Sequence, residues 1–160
     1  MKLISPLILL LIIAATMALA KMPVDLPNFA HWMGKELKAD EKTLHEKVAG
    51  PNKNSSIKLA DYGSSNASIS RREGNGIPEV HDHMDDYFVV QSGEATLIIG
   101  GEVVNPKKQE DARETRGDSI KGGEKKKLVT GDVVHIPHRM PHQLLVDKAF
   151  TYFVIKVKAE

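Results

Sequence analysis

Along most of the chain, short apolar runs that suit β-strands alternate with groups of Gly, Pro and Asn. These runs begin near residue 57, and no internal repeat is visible among them. The predicted strands are Ile57–Tyr62, Ala67–Arg72, Glu79–His83, Tyr87–Gln91, Ala95–Ile99, Leu128–Val129, Val133–Pro137, Gln143–Val146 and Phe150–Val157. Many short strands separated by turn residues predict an all-β sandwich or barrel without parallel βαβ units.

The segment before these strands, residues 21–56, has a helical pattern instead. Its apolar residues recur at intervals of seven and four, at Leu37, Leu44 and Val48. Gly50 and the proline after it form a typical stop signal. A helix of this length is not stable alone in water, so we expect this arm to pack on its own barrel or on a partner subunit. Trp32 and Phe29 are predicted to anchor it, because large aromatic side chains mostly bury their surface.

The first 20 residues have the layout of a secretory signal peptide. Lys2 is followed by an apolar run and then by the small-residue pattern Ala18-Leu19-Ala20. This order predicts a signal peptide over residues 1–20, cleavage after Ala20, and a secreted or periplasmic protein without stable membrane insertion. The alternative is an uncleaved membrane anchor, because roughly 18 to 20 apolar residues can just span a bilayer.

Charge and composition direct attention to a local site. The chain has 160 residues, enough for one globular domain, and its 22 Lys and Arg against 21 Asp and Glu give a formal net charge of +1. Such a balance provides no overall field for nucleic acid or for an anionic membrane, so no nucleic-acid partner is expected. The absence of cysteine excludes disulfides and thiolate zinc sites. Any metal must therefore be held by nitrogen and oxygen.

A charge-rich insertion, residues 105–127, interrupts the strand pattern. Its Lys and Arg residues are interleaved with Glu and Asp instead of being clustered. This favours a long solvated loop over a basic recognition patch. Loops of this length in compact domains are often lids or binding loops.

The most informative stretch is HDHMDDYFVVQSG, which begins at His81. Side chains alternate between the faces of a strand, so His81 and His83 are predicted to share one face. After a turn, Asp86 is predicted to face the same interior as the apolar residues that follow it. A carboxylate opposite two imidazoles, with apolar residues behind, is typical of a metal site with a dry floor. His142, at the end of a second stretch, could supply a further ligand.

These two stretches together resemble the paired motifs of the cupin family. The first supplies His81, His83 and Gly93, and Asp86 stands where the family has a glutamate. The second, GDVVHIPHRMPH, supplies Gly131, Pro137 and His142 at the family's spacing. The resemblance covers residues 57–158. It implies an antiparallel double-stranded β-helix, or jelly-roll barrel, preceded by the helical arm.

The resemblance also implies a divalent metal at the mouth of the barrel. Its ligands would be His81, His83, Asp86 and His142. Because Asp is one methylene shorter than Glu, two alternatives stay open: Asp85 is the carboxylate used, or the metal rests on the three histidines alone. Imidazole and carboxylate ligands accommodate iron, manganese, nickel, copper and zinc, so the pattern does not choose among these metals.

The function expected from this resemblance is that of an exported single-domain cupin acting on a small polar molecule, as an oxygenase, lyase or isomerase. The alternative is a non-catalytic module that binds a sugar or organic acid, with a structural metal or none. One fold hosts many functions, so the resemblance alone does not choose between them. Cupins often pair through sheet edges, and an open edge favours such pairing, so a homodimer is expected.

Overall fold

A computed structural model of the chain describes residues 27–110 and 113–159. Within these ranges a helix, α1 (Gly34–Lys47), precedes a series of strands. The strands are β1 (Asn54–Asp61), β2 (Ser65–Arg72), β3 (Glu79–His81), β4 (Met84–Ile99), β5 (Glu102–Val104), β6 (Lys107–Lys108), β7 (Glu114–Arg116), β8 (Ser119–Lys121), β9 (Glu124–Val129), β10 (Val133–Ile136), β11 (His142–Leu145) and β12 (Phe150–Lys158). The prediction of an all-β fold with an N-terminal helical arm is confirmed.

The predicted signal peptide, residues 1–20, lies outside the described residues. In the part of the chain that the structure does describe, no helix combines the length and the apolar character needed to cross a bilayer.

The strands form two antiparallel layers that share β4. The first layer has the order β1-β2-β12-β4-β10, and the second runs β9-β4-β11-β3-β7-β6. The first half of β4 pairs with β12 and the second half, from Glu94, pairs with β9. Gly93 stands at this change of partner with φ +79°, a conformation that residues with a side chain rarely adopt. The two strands predicted for this region are therefore one long strand that bends at Gly93.

The core lies between the two layers and follows the alternation of strand faces. Phe88 and Val90 of β4 are buried there together with residues from the facing strands. That cluster also contains Ala95, Leu97, Leu128, Ile136, Leu144, Val146, Phe150, Tyr152 and Val154. Burying each large apolar side chain contributes about 1.5–3 kcal/mol. Asp86 is buried on this same face, as the strand parity predicts.

The helix α1 packs on the outer face of the first layer, beside β1 and β2. Leu44 is fully buried, and the ring centroid of Trp32 lies 5.3 Å from that of Phe153. The prediction that Trp32 anchors the arm is therefore confirmed. Phe29 is 68% exposed, so its predicted anchoring role is wrong. The Glu41 carboxylate also ties α1 to the sheet, because it accepts hydrogen bonds from Ser92, Thr151 and Arg71.

The charge-rich insertion is not one long loop. Its described residues include β6, β7 and β8, as well as the beginning of β9. β7 pairs with β3, and β9 pairs with the second half of β4. The loop prediction is wrong here because backbone pairing needs no apolar side chains: in β9 only Leu128 is buried, and the charged residues around it face solvent.

Candidate metal centre

Strand register brings three potential metal ligands together at one end of the second layer. Glu79 and His81 occupy alternate positions of β3, so their side chains project from the same face. His142, the first residue of β11, lies directly opposite Glu79. The donor atoms of these three side chains all lie within 4.8 Å of one another. Among the described residues, this is the one such group of three or more His, Asp or Glu side chains.

Asp86 approaches this group from β4. Its side chain is only 2% exposed. One carboxylate oxygen, Oδ2, lies 3.3 Å from Nε2 of His81 and 3.9 Å from Nε2 of His142. The structure therefore brings together three of the four predicted ligands, His81, Asp86 and His142. It adds Glu79, which the sequence analysis did not select.

The His142 ring is oriented for metal binding by its own backbone. Nδ1 of His142 lies 3.0 Å from the carbonyl oxygen of Met140. Because a carbonyl oxygen only accepts hydrogen bonds, Nδ1 carries the ring proton, and Nε2 presents its lone pair toward the cluster. Burial lowers the pKa of His142 below its ordinary value, so the neutral ring is favoured. A ring fixed in this way is typical of histidines that bind metals.

A lysine from the last strand contacts two residues of the same cluster. Lys156 lies opposite Asp86 in the pairing of β12 with β4. Its Nζ donates to both carboxylate oxygens of Asp86, at 2.6 and 2.8 Å, and lies 2.9 Å from Nε2 of His81. An ammonium group has only protons to offer, so Nε2 of His81 accepts this hydrogen bond.

Burial and neighbouring groups act in opposite directions on Asp86. Burial raises the pKa of its carboxyl group, but its neighbours, the Lys156 ammonium group among them, together lower it by more. The net result is a pKa below the ordinary value. Asp86 is therefore a buried carboxylate that stays charged because it is paired.

His83, the remaining predicted ligand, lies outside the cluster. The strand predicted as Glu79–His83 ends at His81, and the chain bends through Asp82 and His83 before β4 begins. The alternation of faces therefore does not extend to His83, and its side chain is exposed. The predicted strand was two residues too long, and the argument that placed His83 beside His81 was wrong for this reason.

Asp85, the alternative carboxylate, is engaged on the opposite side of β4. It accepts hydrogen bonds from the backbone N–H of His138 at 2.7 Å and contacts Nδ1 of the same residue at 2.9 Å. Its second oxygen lies 3.1 Å from Nε2 of His135. The hydrogen bonds from His138 and His135 lower the pKa of Asp85 to about 2. This carboxylate thus ties β10 and the turn after it to β4, away from Glu79 and His142.

A polar cavity of about 190 Å³ adjoins the cluster. Three serines on one side of it, Ser56, Ser68 and Ser70, lie on the interior face of β1 and β2. Its wall also contains Arg72, whose Nε donates to the buried Tyr152 hydroxyl at 3.1 Å. Glu79, Asp86 and Lys156 form the part of the wall that belongs to the cluster. Of the residues in the cluster, Glu79 and Asp86 therefore border a space that serine hydroxyls also line.

The donor set fits a divalent metal. Glu79, His81 and His142 offer one carboxylate and two imidazoles, which suit iron, manganese, nickel, copper and zinc alike. Nε2 of His142 already presents its lone pair, and Asp86 lies beside the group as a further oxygen donor. Two cations oppose a metal here: Lys156 contacts Asp86 and His81, and Nη2 of Arg116 lies 3.9 Å from Oε1 of Glu79.

Comparison with solved structures supports the fold. A recombinant oxalate oxidase in complex with glycolate superposes with a TM-score of 0.50 at 13% identity, over 70% of this chain and 54% of that one. A cupin superfamily protein from Desulfitobacterium hafniense gives a TM-score of 0.49 at 18% identity, over 70% of this chain and 83% of that one. A cupin 2 conserved barrel domain protein from Salinispora arenicola gives 0.47 at 17% identity, over 74% and 83%.

The chain shares the fold of the oxalate oxidase, which agrees with the all-β fold that its two motifs predict. This chain spans about half the length of the oxalate oxidase, and at such low identities the likeness concerns the fold alone. No protein-family model matches the chain, and no curated protein matches it in sequence.

Proposed function

We propose that the chain binds a divalent metal through Glu79, His81 and His142 and acts on a small polar molecule in the adjoining cavity. The observation that carries this proposal is the register of β3 against β11, which places two imidazoles and a carboxylate within 4.8 Å of one another. Asp86 is the neighbouring oxygen donor, available as a fourth ligand. His83 is not included because its side chain is exposed beyond the end of β3.

The metal would supply Lewis-acid character for a bound carbonyl, carboxylate or hydroxyl group. The chain's own residues would position that molecule. Arg72 is a permanently charged donor fixed by Tyr152, and the serine hydroxyls around it can donate or accept hydrogen bonds. Phe88 contributes an apolar part of the cavity wall. Such a wall favours a small hydroxylated molecule that carries an acidic group.

Metal analysis followed by turnover assays tests this function. Protein purified without an affinity tag should contain metal at close to one ion per chain after reconstitution. It should then consume oxygen with, or convert, at least one member of a panel of hydroxy acids and sugars. His142→Ala should lose metal and turnover together, whereas His83→Ala should keep both. Full turnover by thoroughly metal-depleted protein would contradict the proposal.

A non-catalytic binding module is the second candidate, and one observation favours it. Lys156 already neutralises Asp86, and among the described residues no buried side-chain nitrogen or oxygen lacks a hydrogen-bond partner. The cluster is thus complete as a purely structural network. Stoichiometric metal without turnover on the whole panel, or ligand binding that is unchanged by chelation, would favour this second function.

Export and self-association are part of the same proposal. The layout of residues 1–20 supports secretion, which N-terminal sequencing of the exported chain can test by showing whether it begins at Lys21. A homodimer is supported by the outer edge of β10, which within the described part of the chain pairs only with β4 and exposes 66% of Val133. Light scattering at high protein concentration measures the mass directly, and a monomer under those conditions would contradict the homodimer proposal.

A further inference from the structure

The contact between Lys156 and His81 has a direct consequence for metal binding. Nζ of Lys156 lies 2.9 Å from Nε2 of His81, and the hydrogen bond uses the lone pair of that nitrogen. A metal bound through Nε2 of His81 would use the same lone pair. The ammonium group and the metal therefore exclude one another at this atom.

The same lysine also holds the neighbouring carboxylate. Both oxygens of Asp86 accept hydrogen bonds from Nζ, at 2.6 and 2.8 Å. A carboxylate that is 2% exposed requires a cation nearby, and Lys156 is the cation that the strand register supplies. Asp86 is thus available to a metal only after Lys156 has moved away.

The Lys156 side chain has room to rotate away from Asp86 and His81. Its side chain is 29% exposed, in contrast to the 3% of Asp86, and it forms part of the wall of the polar cavity. Rotation of its flexible four-carbon chain would carry Nζ toward the opening and the serine hydroxyls. The barrel backbone would not have to change, because the lysine is attached near the end of β12.

From these contacts we propose that Lys156 competes with the metal for His81 and Asp86. The lysine thereby determines both how tightly the metal binds and which side chains are its ligands. With Lys156 in place, Asp86 and His81 are engaged by the ammonium group. When Lys156 withdraws, both become ligands beside Glu79 and His142. This inference rests on the proposed metal-binding function and specifies how that site is regulated by its own side chain.

Cobalt(II) titration of the full chain tests the competition. Calorimetry gives the affinity, and the visible absorption of bound cobalt reports the ligand set independently of any activity. Lys156→Met, which keeps an unbranched side chain but removes the charge, should bind cobalt about tenfold more tightly or better, since a hydrogen bond to a charged group contributes on about that scale. Its cobalt spectrum should also change, because Asp86 joins the shell.

Two further variants separate charge from structure. Lys156→Arg keeps the positive charge and should bind cobalt no more tightly than the parent. Lys58→Met removes a lysine that is 65% exposed and pairs with Asp61, and it should leave affinity and spectrum unchanged. If circular dichroism shows that Lys156→Met does not fold, Lys156→Gln provides the same loss of charge with a polar side chain and the same expected direction.

The outcomes distinguish this inference from the function on which it rests. Cobalt that binds the parent and Lys156→Met equally, or binds the variant more weakly, overturns the role of Lys156 and leaves the metal site intact. Cobalt that binds neither protein overturns the proposed metal site and the competition together. Tighter binding by Lys156→Met with an unchanged spectrum would also contradict the proposal, because Asp86 would then not have been released.

Discussion

Lys156 lies directly opposite Asp86 in the antiparallel pairing of β12 with β4, and its ammonium group contacts both oxygens of that carboxylate. The pair is formed by two positions that both face the interior, where an uncompensated charge is costly. One strand register therefore supplies the carboxylate and its counter-ion together. This arrangement compensates the charge of the buried aspartate when no metal is bound to it.

The first prediction concerns the stability that this pair provides. Asp86→Asn should lower the free energy of unfolding by about 2–3 kcal/mol, less than the 3–5 kcal/mol typical of a fully buried pair, because Lys156 is partly exposed. Asp61→Asn is the matched control, since Asp61 pairs with Lys58 on the surface and should cost at most about 1 kcal/mol. Urea unfolding followed by circular dichroism measures both. Equal losses would show that burial of Asp86 contributes nothing.

The second prediction distinguishes the two histidines on which the sequence and the structure differ. His142→Ala should weaken divalent-metal binding by more than about 100-fold, because even loss of an outer partner of a metal ligand typically costs about 10- to 100-fold. His83→Ala should leave the affinity within about twofold, since that side chain is exposed beyond β3. Calorimetric titration with one metal compares the two variants with the parent. A comparable loss of metal affinity in His83→Ala would show that His83 is a ligand after all.

The third prediction concerns the carboxylate that the sequence analysis did not select. Glu79→Gln keeps the volume of the side chain and removes its charge, so the metal should bind about tenfold or more weakly. Asp85→Asn is the control, because Asp85 is held by His135 and His138 on the other side of β4. The same titration measures both. If Asp85→Asn loses affinity and Glu79→Gln does not, the ligand has been assigned to the wrong side of β4.

The main features of the fold were predictable because strand alternation and motif spacing are local properties. Asp86 was placed correctly since β4 continues without interruption from that residue into the core. His83 was placed incorrectly. The end of β3 depends on its pairing with β7, and that pairing reaches only to His81. The rule of alternate faces wrongly included His83, two residues after His81. Applied toward the N-terminus, the same rule would have found Glu79, two residues before His81.

Long-range pairing explains what the sequence did not reveal. Lys156 comes from the last strand, and only the register of β12 against β4 places it opposite Asp86. Residues of both parities are buried from Phe150 to Val154, so β12 by itself gives no local signal that Lys156 faces inward. Arg139 is a different case: its φ of +60° is a left-handed conformation that residues with a side chain rarely adopt, and nothing in the local pattern indicates it.

The fourth prediction concerns the packing of the arm on the barrel. Leu44 is fully buried between α1 and the first layer, so Leu44→Ala should cost about 2–5 kcal/mol of stability and loosen the helix. Phe29→Ala removes a larger side chain that is 68% exposed and should change stability by at most about 0.5 kcal/mol. Chemical unfolding gives the two values, and hydrogen exchange of the α1 amides reports the helix itself. Unchanged exchange in Leu44→Ala would mean that the arm does not depend on this contact.

The fifth prediction compares two glycines of the resembled motifs, the one that ends the first motif and the one that begins the second. Gly93 and Gly131 both have positive φ, +79° and +94°, so alanine at either position carries a conformational cost of about 1–2 kcal/mol. A Cβ atom at Gly93 would in addition lie 2.1 Å from the carbonyl oxygen of Ala149, a backbone atom that cannot rotate away, whereas at Gly131 it would meet nothing within 4 Å. Gly93→Ala should therefore cost about 3 kcal/mol or more and disturb the bend at which β4 passes between the layers. Gly131→Ala should lower the free energy of unfolding only by the conformational cost of alanine at a positive φ. Urea unfolding measures the difference between the two variants, and equal losses would show that the close approach of β4 to Ala149 does not contribute to stability.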